Sequence, residues 1–264
     1  MDDAFALLRL QIDWGADEAL DADPLDRLRA VDPLPAPAGA GVQRAAPRVV
    51  AAAPATIGPQ SRVAAAERAL AIAGQAATLD ALREAIAGFD GCALRDTASN
   101  TVWAEGARDS AVLIVGETPG RDEDRTGHPF AGNDGALLDQ MLASIGVTRE
   151  DVMLTPLLPW RPPGGRPPSA AELAVCLPFL HRLIVLQQPE RLVIFGNTAA
   201  RTLLPSAAAR RRAVPVWVEA SMPGLPKTPA VLVLPSLAEM QRTPAVRRTA
   251  WAGLRLLRRA LDLA

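Results

Sequence analysis

The chain has 264 residues, 49% of them apolar, and a formal net charge of −1 from 28 basic and 29 acidic side chains. The length exceeds a typical domain, so one core of roughly 200 residues with an appendage is expected. The near-zero charge argues against broad electrostatic attraction to nucleic acid and leaves only a local basic face for that purpose. No uninterrupted apolar run is long enough to span a bilayer. The start, Met1-Asp2-Asp3-Ala4, lacks the basic and apolar blocks of a secretion signal. A cytoplasmic monomer without membrane contact is therefore expected, and its two cysteines, Cys92 and Cys176, are read as reduced thiols. Lys227 is the one basic residue that is not Arg, and Tyr is absent; both are read as coding bias rather than function.

In chain order, residues 1–32 carry a short amphipathic pattern (Phe5, Leu7, Leu8, Leu10, Ile12, Trp14) that fits a helix docking on the domain or on a protein partner. Residues 33–60 are dominated by Pro, Ala and Gly, the composition of an extended linker. From residue 61 to 264 the chain reads as one domain. Helical periodicity runs over 61–75 and 79–87. After that strands and helices alternate: strand 111–116, helix 134–145, strand 151–155, helix 169–187, strand 191–196, helix 197–204, strands 213–218 and 230–234, and helix 244–262. Interleaved strands and helices imply right-handed βαβ units. The expected fold is α/β, a three-layer αβα sandwich around a mostly parallel four-stranded sheet. Ligands of such sheets bind outside the carboxyl ends of the strands.

One such strand end carries the most chemical stretch of the chain. The apolar run 111–115 empties into Gly116-Glu117-Thr118-Pro119-Gly120, followed by Asp122-Glu123-Asp124 and by Gly127-His128-Pro129-Phe130-Ala131-Gly132. Glycines let backbone approach a ligand and prolines stiffen the loop, which suits a preformed pocket. Composition alone also allows an ordinary polar connection, with the acidic run solvated or capping the next turn.

Order and spacing of these segments resemble the family-4 branch of the uracil-DNA glycosylases. That family carries Gly-Glu-Ala-Pro-Gly, an acidic run and Gly-x-Pro-Phe-x-Gly. Its Arg-Pro-Pro-Gly-Asn-Arg loop is matched here by Arg161-Pro162-Pro163-Gly164-Gly165-Arg166, and its next helix by Glu172 and Cys176-Leu177-Pro178-Phe179-Leu180. Arg242, Pro244, Arg248 and Trp251 match its last helix. The resemblance runs from about Phe89 to the end of the chain. It implies a uracil-DNA glycosylase-like fold and a DNA-repair enzyme that hydrolyses the N-glycosidic bond of uracil or a deaminated base in DNA.

Such an enzyme takes the nucleotide out of the stack, reads the base edge and stabilises both the leaving base and the cationic sugar. In the resemblance Phe130 supplies the stacking ring, with Gly116, Pro119, Gly120 and Pro156 around the base. Glu117, Thr118 and Ser236 hold the catalytic positions. Arg161, Arg166, Met240 and Arg242 fall at DNA-contacting positions. Two of these matches depart from the family. Its base-reading Asn falls on Pro156, which has no side-chain donor and no N–H. Its anion-facing His falls on Ser236 in an ungapped alignment, with Glu239, Met240 and Gln241 in the wedge loop. Matching proline to Pro235 would place Leu234 there instead. Thr118 can orient a water but cannot act as its base near neutral pH.

The family's iron–sulfur cluster needs four Cys. Here Cys92 and Cys176 match two of the positions, while Phe89 and Trp160 occupy the others and cannot coordinate iron. No cofactor is expected, with aromatic packing in place of the cluster. The basic residues Arg210, Arg211 and Arg212, and Arg247, Arg248, Arg255, Arg258 and Arg259 on the last helix, give a weak signal for phosphate. Two functions follow: a glycosylase with weakened or altered activity, or a catalytically silent relative that binds DNA or protein.

Overall fold

The computed structural model describes residues 59–205, 208–209 and 214–262. The expected N-terminal helix, the linker up to residue 58 and the run Arg210 to Arg212 lie outside the described residues. Helix α1 (Pro59–Gln75) begins at the last two positions assigned to the linker. It is followed by α2 (Leu79–Gly88), capped by Thr78, and the single-turn α3 (Ala93–Thr97).

The sheet comes next in the chain. Strands β1 (Glu105–Gly106), β2 (Val112–Val115), β3 (Met153–Thr155), β4 (Arg191–Phe195), β5 (Val218–Glu219) and β6 (Ala230–Leu234) assemble in the order β1-β3-β2-β4-β6-β5. The four inner strands are parallel, as expected. The two-residue edge strands β1 and β5 pair antiparallel and widen the sheet to six strands among the described residues. The expected strand 213–218 is thus reduced, within the described residues, to β5 at its end. A two-residue edge has too little periodicity to be read from sequence.

The inner strands are apolar on both faces because helices cover both. Leu113, Val115, Leu192, Ile194, Val231 and Val233 face one apolar cluster, which α1, α2 and α6 (Ala170–Gln187) complete. Val112, Ile114, Val193, Phe195, Leu232 and Leu234 face the other, closed by α5 (Gly132–Ala143) and α9 (Pro244–Leu261). Ser169 caps α6 together with Glu172, and Pro244 opens α9 at its first turn. Helix α6 is long and apolar enough to cross a membrane by length and composition. His181 and Arg182 interrupt its apolar runs, and seven of its residues are buried in the domain, where it packs on α1.

Two short helices fall in segments read as loops. The acidic run forms α4 (Arg121–Thr126), and the expected wedge loop is α8 (Leu237–Arg242), capped by Ser236. α7 (Asn197–Leu203) follows β4 directly. Because β2 connects to β3 on one side and β4 connects to β6 on the other, the carboxyl ends of β2 and β4 form the switch point at which open α/β sheets bind ligands.

Candidate active site

A cavity of about 240 Å³ opens at that switch point. The carboxyl ends of all four inner strands contribute to it: Gly116 to Gly120 after β2, Pro156 after β3, Phe195 closing β4, and Ser236 after β6. Of the expected site residues, Gly116, Glu117, Thr118, Pro119, Gly120, Phe130, Pro156 and Ser236 all line it. Leu234 is fully buried, packed against Gly253, and does not line the cavity, whereas Ser236 does.

Phe130 is held in place from three sides. Its backbone has φ 51°, a left-handed conformation rarely adopted by a bulky residue. Such strain costs about 1–3 kcal/mol and persists only where the surroundings enforce it. Arg149 donates to the Pro129 carbonyl at 3.2 Å and to the Phe130 carbonyl at 2.5 Å, and its Nε pairs with Asp139 at 2.5 Å. Gly135 leaves room for the Phe130 carbonyl where any Cβ would collide with it. The ring then lies against Gly116, whose missing Cβ would sit 2.8 Å from its Cζ, and meets Phe195 edge-on at 6.4 Å.

The carboxylates are fixed as firmly. Gly196, at φ 99°, has no Cβ where the Glu117 side chain lies, and Glu117 Oε1 accepts from the Thr198 amide at 3.2 Å. Glu123 accepts from the amides of Gly120 at 3.0 Å and Ala131 at 3.2 Å, tying the two halves of the motif together. Burial pushes the Glu123 carboxyl above the usual carboxylate range. Asp124 is buried and accepts from the Ser99 amide at 2.8 Å. Of the acidic run, Glu123 and Asp124 thus fasten the loop, which neither the solvated nor the simple capping reading anticipated in full.

Asp134, which the sequence reading missed, also lines the cavity. Gln241 donates to its Oδ1 at 2.7 Å. Burial first, then the charge of Glu117, push its carboxyl above the usual range, while Arg242 acts the other way. Its signal in sequence was only an acidic residue in the first turn of α5.

The expected DNA-contacting residues divide. Arg161 is half-buried, and its Nε is buried without a hydrogen-bond partner among the described residues. Arg166 spends its guanidinium on Glu172, at 2.9 and 2.6 Å. Met240 is fully buried beneath α8 and cannot act as a wedge, because the helix turns it into the core. Arg242 is exposed. His128 pairs with Glu105 on the surface, away from the cavity, and burial lowers the pKa of His181 within α6.

A family model described as the uracil DNA glycosylase superfamily matches residues 103–255. The chain belongs to that superfamily. It is 40% identical over 126 residues to the type-4 uracil-DNA glycosylase of Pyrobaculum aerophilum, covering 48% of this chain and 64% of that one. It is 44% identical over 110 residues to the type-4 uracil-DNA glycosylase of Archaeoglobus fulgidus, covering 42% and 55%. With that of Thermotoga maritima the identity is 41% over 108 residues, covering 41% and 56%. The similarity therefore spans between 55% and 64% of the length of these relatives.

The superfamily's type-4 branch implies an iron–sulfur cluster, and the residues at its positions do not fit one. Cys92 and Cys176 lie with their sulfurs 3.7 Å apart, both buried and free of disulfide. Around them Phe89 packs edge-on against Phe179 at 5.2 Å, and the Trp160 indole donates to Thr101 Oγ1 at 3.1 Å. Trp160 and Phe89 are 1% and 2% exposed and belong to the same apolar cluster as the two thiols. Two thiols cannot supply the four ligands of a cluster, and among the described residues no group of three or more metal-binding side chains exists.

Proposed function

We propose that this protein is a cytoplasmic, monomeric DNA glycosylase of base-excision repair that works without an iron–sulfur cluster and excises uracil only weakly. The observation that carries this reading is the Phe130 ring, locked against Gly116 at the mouth of a cavity built by four strand ends. A preset ring of this kind supports stacking of a base taken out of DNA. Thr118, at the cavity wall, has a hydroxyl that can orient the attacking water. Glu117, fixed by the Thr198 amide, places negative charge near the sugar site, where positive charge develops. Arg161 and Arg242 are the candidates for phosphate.

Uracil is poorly served by this cavity. Pro156 offers neither a side-chain amide nor an N–H to the uracil edge, and Ser236 has its hydroxyl oxygen occupied by the Glu239 amide at 3.2 Å. Loss of one preorganised donor typically costs about 2.7–4 kcal/mol of barrier, roughly 100- to 1000-fold in rate. The same two residues support a second reading, a silent relative that binds DNA, or a protein partner through residues 1–32.

Excision assays on DNA containing uracil, hypoxanthine or xanthine, with an abasic duplex as a binding probe, test the first reading. We expect slow uracil release that Pro156→Asn with Ser236→His accelerates. Absence of excision from all of these in wild type and double variant, with DNA binding intact, would favour the silent reading.

A further inference from the structure

The cavity wall has an unusual charge balance. Glu117, Glu123 and Asp134 line it together with Phe130 and Phe195, and among the described residues no Arg, Lys or His does. A uracil leaves as an anion, so it would have to depart towards carboxylates with no cationic group opposite. Burial and the Glu117 charge push the Asp134 carboxyl upward, as expected where negative charges crowd without compensation. Arg242 offsets this only in part, from outside the cavity wall. Gln241 holds one Asp134 oxygen at 2.7 Å, and no hydrogen bond occupies the other among the described residues.

Resting on the glycosylase reading, we infer that Asp134 sets the specificity of this cavity for bases that carry a positive charge, namely N-alkylated purines. The carboxylates share one cavity with the Phe130 and Phe195 rings. Aromatic rings beside carboxylates are the combination that recognises a flat cation, through cation–π attraction and ion pairing. Chemistry favours the same substrate. When water adds its oxygen to C1′ of an N7-methylguanine nucleotide, the C1′–N9 electron pair withdraws into the purine and cancels its charge. The base departs neutral and the proton of the attacking water passes to solvent. No anion forms, so neither the missing His nor the missing Asn is needed, and the carboxylates stabilise the cationic sugar.

The test has two arms. In the first, release of N7-methylguanine and of uracil from otherwise identical duplexes is measured above the enzyme-free rate, for the full chain and for Asp134→Asn. We expect the alkylated base to be released faster than uracil by about tenfold, the effect of one partly solvated charge pair, and the ratio to shrink in the variant. In the second arm, calorimetry compares N1-methyladenosine, a fixed cation at neutral pH, with adenosine; preferential binding of the cation should be lost in Asp134→Asn. Uracil released as fast as N7-methylguanine would overturn the inference and leave the glycosylase reading standing. No excision of either base, with preferential cation binding intact, would support the specificity of the cavity and sink the glycosylase reading. Equal binding of both nucleosides without any excision would overturn both.

Discussion

Arg149 donates to the Phe130 carbonyl at 2.5 Å, and this contact joins the short helical turn before β3 to the loop that carries the stacking ring. It explains how a bulky residue stays at φ 51°. The strain is offset by a charged donor rather than relieved.

Arg149→Ala should therefore loosen the ring without unfolding the domain. Two carbonyls would lose their donor, at a cost of about 1–3 kcal/mol for a buried acceptor left unsatisfied. Urea denaturation should show that loss, and base excision should fall further than stability does. Unchanged excision with lowered stability would mean that Phe130 holds its place unaided.

Gly116→Ala tests the ring from the other side. The added methyl would sit 2.8 and 2.9 Å from two atoms of the Phe130 ring. Overpacking of this kind costs about 1–3 kcal/mol. The ring must shift into the cavity, so binding of extrahelical bases should drop while the circular dichroism spectrum stays native. Wild-type binding affinity in this variant would show that the ring does not define the cavity wall.

The Arg166–Glu172 pair sets a pH window. The guanidinium beside it holds the Glu172 carboxyl at about 2, below its ordinary 4.5, with the Ser169 amide adding to the effect. A depressed carboxyl contributes stability above its unfolded pKa and loses it as pH falls through the folded value. The pair's contribution should disappear between pH 4.5 and about 2. Thermal melts of Glu172→Gln should differ from wild type above this window and converge with it at the acid end. A constant difference at every pH would exclude the linkage.

The buried thiols make a separate prediction. Contact with Cys92, and burial, push the Cys176 thiol well above its ordinary range. The same contact lowers the Cys92 thiol, so protection of the pair rests on burial, which leaves Cys92 4% and Cys176 0% exposed; a thiol-specific reagent should label neither cysteine in the folded protein and both in guanidinium. Iron analysis of purified protein should find no stoichiometric iron. About four iron atoms per chain would show that ligands other than the two thiols complete a cluster.

Much of this protein was legible from its residues alone. The apolar run of β2, emptying into Gly116 to Gly120, marked the strand end at which the cavity opens, because buried parallel strands are continuous in hydrophobicity and their loops concentrate Gly and Pro. That Pro156 carries no side-chain amide, and Phe89 and Trp160 no metal-binding atom, is equally legible, because no conformation gives those side chains such atoms. What tertiary structure alone decided is which charges meet. Glu123 and Asp124 sit in one acidic run, yet one fastens two backbone amides at the cavity and the other is buried under Ser99. Arg166 read as a DNA-contacting residue, yet its guanidinium lies 2.6 Å from Glu172. Met240 read as a wedge until α8 turned it inward. Asp134 carried no motif at all, and only the packing of α5 beside the loop after β2 puts its carboxyl against Glu117. Local sequence fixes periodicity and available atoms; the partners of a side chain distant in the chain depend on how the layers pack.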